Sequence, residues 1–250
     1  MRIGLEIEVE DVTYHPSSIP GVHVETDGSL RNGLEFITEP LPDTTFANHV
    51  YTYLYHNIKG TYSERCGFHF HMDFTGKSTD TIIDFLSRYL ELERTLFRLY
   101  PHLFRSNNNF CNLLTESPAE LRIIRDLANG STSSLQDFSK YSALNIKPLT
   151  SLQTIEFRAA PAGLSPENVE TILSIFENIY NDTVPETLTS QITAIDKAEA
   201  EAIIQLIRTP YDDTSTSDLG EYMSTHFDVP ATVTTTIPTA DNIREFLRSL

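Results

Sequence analysis

In four short segments of this chain, large apolar side chains alternate with carboxylates, imidazoles or arginine. No other feature constrains the fold as tightly. In Met1–Glu10, Leu5, Ile7 and Val9 fall on one face of a β-strand and Glu6, Glu8 and Glu10 on the other. In Leu34–Glu39, Leu34 and Phe36 oppose Glu35, Ile37 and Glu39, with Asp27 nearby in the turn sequence Asp27-Gly28-Ser29. In Phe68–Phe74, Phe68, Phe70 and Met72 alternate with His69, His71 and Asp73, and Leu152–Ala159 carries Glu156 and Arg158. One sheet built from these strands has a greasy face and a carboxylate, imidazole and arginine face.

Like charges on one strand face repel, so the polar face is either solvated or held by a cation. Solvated faces usually mix lysine, threonine and glutamine with their acids, and lysine is absent from all four segments. Carboxylates with one or two imidazoles suit Mg²⁺ or Mn²⁺, and the absence of paired cysteines argues against structural zinc. Cys66, just before Gly67 at a strand entry, reads as a small packing residue more simply than as a thiol nucleophile.

The net charge of −17 argues against a broad nucleic-acid surface or an anionic-membrane surface. It is uneven, because the first forty residues hold eight acids against Arg2 and Arg31. With 250 residues, 40% of them hydrophobic, the chain can bury a real core in one large domain or two small ones. Two cysteines without framework spacing fit a reducing compartment. No basic-then-apolar leader is visible, and no apolar run approaches the ~20 residues of a membrane helix. The expectation is a soluble, cytoplasmic protein.

Helical periodicity predicts a helix over Thr45–Ile58, packed through Phe46, Val50, Tyr53, Leu54 and Ile58. A long helix runs from a cap at Ser78 or Thr79 to about Leu99, and a short one covers Pro118–Leu127. Gly130–Ser134 reads as a mobile link. Tyr141–Ile146 and Leu152–Ala159 read as strands joined by a turn at Lys147-Pro148, and Ser165-Pro166-Glu167 starts a helix to about Tyr180. Ala194–Ile207 and Asp241–Leu247 are the clearest later helices. The fold class expected is α+β, an antiparallel or mixed sheet with a helical C-terminal part.

The series Gly4-Leu-Glu6-Ile-Glu8, Thr26-Asp27-Gly28-Ser29-Leu30, Gly33-Leu-Glu35-Phe-Ile-Thr-Glu39-Pro40, Cys66-Gly67-Phe-His69-Phe-His71-Met-Asp73 and Thr154-Ile-Glu156-Phe157-Arg158 resembles the amidoligase family over about residues 1–180. That family is a branch of the carboxylate–amine ligases related to glutamine synthetase and glutamate–cysteine ligase. The resemblance implies a glutamine synthetase-like catalytic domain over residues 1–184, its curved half-barrel sheet backed by helices. A helical insert covers about residues 78–130, and a helical extension covers residues 185–250.

By the same resemblance, Glu6 and Glu8 give one carboxylate to each of two metals. Asp27 and Glu35 complete one site, with Glu39 as a rival to Asp27. His69 ligates the second metal, His71 lies near ATP, Glu156 is the last metal ligand and Arg158 contacts phosphate or substrate. Arg105, Lys140, Tyr141 and Asn145 supply further phosphate or substrate contacts. Glu10 has no counterpart and stays an ordinary acidic strand residue.

The implied reaction is ATP-dependent amide or isopeptide formation through an acyl phosphate, with two Mg²⁺ (or Mn²⁺) ions neutralising the transferred phosphoryl group. The substrates are a small-molecule or peptide carboxylate and an amine; the acidic balance is compatible with a cationic amine. No glycine-rich phosphate loop occurs, which fits a nucleotide held by metals on a sheet. The alternatives are a metal-dependent hydrolase using the same face and an inactive metal-binding module.

Overall fold

A computed structural model of the chain describes residues 1–105 and 111–210, all within a compact unit spanning residues 1–211. The strands are β1 (Ile3–Tyr14), β2 (Val22–Asp27), β3 (Gly33–Thr38), β4 (Lys59–Thr61), β5 (Gly67–Asp73), β6 (Leu144–Asn145) and β7 (Thr154–Pro161). They form one open sheet in the order β2-β3-β1-β5-β7-β6, with β4 beside the end of β1. Every strand pairing is antiparallel. The helices are α1 (Thr44–Asn57), α2 (Thr79–Leu99), α3 (Pro118–Ala128), α4 (Pro166–Asn181), α5 (Glu186–Thr189) and α6 (Ala194–Arg208). This is the expected α+β class.

The apolar face of the sheet is the core. Ile3, Leu5, Ile7, Val9, Phe68, Phe70, Met72, Ile155 and Phe157 are buried there. Phe176 of α4 sits over the middle strands, its ring 4.4 Å from Phe157 and 5.1 Å from Phe70. Tyr51 of α1 meets Phe68 edge-on at 5.1 Å, and Tyr89 of α2 reaches Phe176 at 5.9 Å. Each large side chain buried this way contributes about 1.5–3 kcal/mol. Helices therefore cover one face, and the polar face is left to a cleft.

Local chemistry sets the helix ends. Asp43, Ser78, Ser165 and Thr193 accept from backbone N–H groups in the first turns of α1, α2, α4 and α6. Pro166 opens α4, and Asp182 closes it in the left-handed region at φ 57°. α6 packs on α2 and α3, with Arg94–Glu199 at 2.8 Å and Arg208–Asp84 at 2.6 Å.

The structure corrects several expectations. α1 buries Thr44, Ala47, Tyr51 and Leu54, while Phe46 and Tyr53 face outward. The small Ala47 lets this stripe approach closely, so it wins over the bulkier one. The strand expected at Tyr141–Ile146 shrinks to Leu144–Asn145, and the Lys147-Pro148 turn becomes a 3₁₀ turn over Lys147–Thr150. Gly130–Ser134 is tied to α3, where the Ser131 N–H donates to the Asp126 carbonyl and the Ser134 hydroxyl to its carboxylate, both at 2.9 Å. Strand β4 was not anticipated. The helix expected at Asp241–Leu247, and most of the polar loop after Arg105, lie outside the described residues.

Candidate functional site

Strand register assembles the polar face. Glu8 lies directly opposite Glu35, and Glu35 opposite Glu25. Glu6 pairs with His69, and Glu156 stands between His71 and Asn145. The β5–β7 ladder shifts register between Phe68 and Phe70, a bulge that places Arg158 and Ala159 beside His69.

His69, Glu8 and Glu156 are almost fully buried. His69 Nδ1 is 3.3 Å from Glu6 Oε2 and 3.7 Å from Glu156 Oε1, and its Nε2 is 3.9 Å from Glu8 Oε1. Two triads result, Glu6–His69–Glu156 and Glu8–Glu35–His69, each with its candidate ligand atoms within 4.8 Å of one another. A neutral imidazole offers one lone pair, so His69 serves an ion in one triad at a time.

Second contacts orient these groups. Glu8 Oε2 accepts from the Gly67 N–H at 2.6 Å. His71 Nε2 lies 2.9 Å from Glu6 Oε1, and its Nδ1 lies 2.9 Å from the Thr154 hydroxyl. Asn145 donates to Glu156 Oε2 at 2.8 Å, and the Arg158 guanidinium pairs with Glu156 Oε1.

The cleft above this floor measures about 360 Å³. Glu6, Glu8, Asp27, Glu35 and His69 line it together with Arg65, Arg105, Lys140 and Arg158. Arg105 donates to the Arg158 carbonyl at 2.7 Å, and Lys140 lies over the Tyr141 ring at 5.2 Å. The buried Nε atoms of Arg105 and Arg158 have no acceptor among the described residues.

Glu156, Asn145, His71 and Asp73, all named from sequence, do not line this cleft. Glu156 and Asn145 lie buried beneath the floor. His71 faces a second, largely apolar cavity of about 290 Å³, lined in part by Gly4, Leu5, Ile37, Pro40 and Leu152, with Glu6 between the two spaces. Asp73 pairs with Arg2 at 2.8 Å, away from the triads.

Sequence reasoning missed Arg65 and misread Glu10. Arg65 comes from the irregular β4–β5 connection, where no periodicity marks it; the only signal was a base two residues before Gly67. Glu10 is not an ordinary acidic strand residue, because it is buried and accepts the Arg31 N–H at 2.8 Å.

Electrostatics favour a cation. Burial, then the Glu6, Glu8 and Asp27 charges, push the Glu35 carboxyl up to about 8. Burial would also raise Glu6, but hydrogen bonds with His69 and His71 outweigh it and hold Glu6 far below the usual carboxylate range. Burial works to lower His71, yet its bond to Glu6 and the Glu156 charge raise it.

A pH dependence follows for the metal-free protein. Folded Glu35 binds its proton more tightly than the unfolded chain does, so stability falls as pH rises from the ordinary 4.5 to about 8. His71 acts in the same direction above its ordinary 6.5. In EDTA the melting temperature should therefore drop between pH 5 and 8 by more than in Glu35→Gln. Mn²⁺ should flatten the profile, because a bound cation replaces the proton. An identical slope in the variant would contradict the assignment.

Asp27 lines the cleft, whereas Glu39 is exposed, 4.0 Å from His23, and does not line it. Glu39→Ala should leave Mn²⁺ affinity within about twofold of the parent, read by calorimetric titration.

These features define a carboxylate–imidazole face, with two groups that could hold a metal ion, on an open antiparallel sheet. The family described as putative amidoligase enzyme matches residues 17–180, and the chain belongs to that family. The matched span begins after the β1 residues Glu6 and Glu8, which join the site through strand pairing. Comparison with curated proteins gave no match. Among the described residues no helix is long and apolar enough to cross a membrane.

Proposed function

We propose that the chain is an ATP-dependent carboxylate–amine ligase of glutamine synthetase-like architecture. It would join a small-molecule or peptide carboxylate to an amine through an acyl phosphate. The observation that carries this reading is that one cleft is lined both by residues of two carboxylate–imidazole triads and by Arg65, Arg105, Lys140 and Arg158. Acidic groups suited to divalent cations beside basic groups suited to anionic oxygens are what phosphoryl transfer to a carboxylate requires.

The donor set fits Mg²⁺ or Mn²⁺, being oxygen-rich with one imidazole and no thiolate. Glu6, His69 and Glu156 would hold one ion, and Glu8 and Glu35, with Asp27 beside them, the other. When bound, the ions supply charge neutralisation at the transferred phosphoryl group. The chain's own residues do the rest. The guanidinium groups of Arg105 and Arg158, which line the cleft, would contact anionic oxygens. Arg158 keeps its charge, since burial opposes it but Glu156 restores it. Asn145 and Thr154 hold Glu156 and His71 in place. The apolar cavity beyond His71 suits a nucleoside base, with phosphates passing Glu6 and His71 toward the basic residues of the cleft. The overall negative charge favours a cationic amine as the second substrate.

The test is ADP release across pairs of carboxylates and amines with Mg²⁺ present, hydroxylamine serving as a generic amine that traps an activated carboxylate as a hydroxamate. The reading predicts ADP and hydroxamate only when carboxylate, ATP and Mg²⁺ are all present. Cation-dependent cleavage of amides without nucleotide would replace it with a hydrolase.

A further inference from the structure

Glu10 is a buried acid with no place in the proposed chemistry, and it sits where the pairing of β1 with β3 ends, opposite Gly33 at the base of the β2–β3 hairpin turn. Its Oε1 accepts the Arg31 N–H at 2.8 Å, inside that turn. Arg65 comes within 3.9 Å of the same oxygen, and its guanidinium donates to the Ser29 carbonyl. The Ser29 N–H in turn donates to Asp27 Oδ1 at 2.7 Å. The turn carrying Asp27 is thus gripped from β1 and from the β4–β5 connection.

What this grip opposes is visible in the register. Glu25, Glu35 and Glu8 face one another in a row across β2, β3 and β1, an arrangement that like charges destabilise. A slip of the hairpin by one residue would relieve the repulsion by turning Glu35 to the opposite face. We propose that Glu10 and Arg65 are positioning residues that pin this hairpin in register and so preorganise the Glu8–Glu35 half of the cation site. The inference rests on the two-cation reading above. It gives Glu10, which lines no part of the cleft, a positioning role, and gives Arg65 a second task beside lining the cleft.

Because only β3 carries Glu35, the pin acts on one triad and spares Glu6–His69–Glu156. Mn²⁺ titration of the full chain, followed by calorimetry and by the spin resonance of free Mn²⁺, reads both sites without turnover. Two sites are expected in the parent. Glu10→Ala should weaken one of them about tenfold or more, the loss found when outer-shell partners of metal ligands are removed. It should be the site that Glu35→Ala abolishes, so the double variant loses nothing further there. Glu10→Gln, which keeps an acceptor for Arg31, should stay near the parent. Should Glu10→Ala fail to fold, Arg65→Ala carries the test, since Arg65 is partly exposed and its loss frees the Ser29 carbonyl. Equal weakening of both sites, or none, would overturn the pin and leave the ligase reading standing. No Mn²⁺ bound by the parent would overturn both.

Discussion

Replacing Glu156 by glutamine should reduce ligase turnover by more than the roughly 10–100-fold typical of outer-shell partners, because Glu156 belongs to a triad itself. Glutamine keeps the shape and the bond with Asn145 but removes the charge that faces His69 and Arg158. The largely buried Arg158 would then lack its counter-ion, and breaking such a pair costs about 3–5 kcal/mol. The nearby Glu6 and Glu8 charges, which also support Arg158, should hold the loss to the low end of that range. Stability and chemistry separate in Glu156→Gln/Arg158→Met. The second change should recover melting temperature by removing the unpaired charge while turnover stays low. Recovery of turnover in the double variant would mean that Glu156 serves only to neutralise Arg158.

Gly67→Ala should be nearly as damaging, although it changes no polar group. A methyl at this position would collide with the His69 ring and come 2.9 Å from Arg105 Nη2. His69 is buried between Glu6, Glu8 and Glu156 and cannot yield without turning from them. Overpacking of this kind costs about 1–3 kcal/mol. The larger effect should fall on cation affinity, through misdirection of the ring nitrogens. Gly4→Ala is the control, because a methyl there meets its nearest atom at an ordinary 3.7 Å from His71 Cβ. Mn²⁺ titration of both variants checks this. Equal affinities would show that the ring position is not critical.

The strand positions of the site were legible because a period of two survives without knowing which strand pairs with which. The alternation at Glu6-Ile7-Glu8 and His69-Phe70-His71 names the polar face directly. Register was not legible. That Glu8 faces Glu35 depends on how β1 and β3 pair, and nothing within either segment states it. The same gap hid Glu10, whose burial depends on the hairpin folding back over it. Glu39 and Asp27 looked alike in sequence, yet β3 ends at Thr38 and the chain turns Glu39 outward. In α1 two apolar stripes compete at helical spacing. Bulk favoured Phe46 and Tyr53, whereas close approach of the helix favoured the stripe through Ala47. Arg65 lies in an irregular connection, where spacing carries no information.

The acidic and basic residues that line one cleft should act together on a nucleotide through divalent cations. Calorimetric titration with a non-hydrolysable ATP analogue, in Mg²⁺ and again in EDTA, tests it most directly. The account predicts binding in Mg²⁺ that disappears in EDTA and in Glu8→Ala. Equal binding in EDTA, or none in either condition while Mn²⁺ still binds, would contradict it.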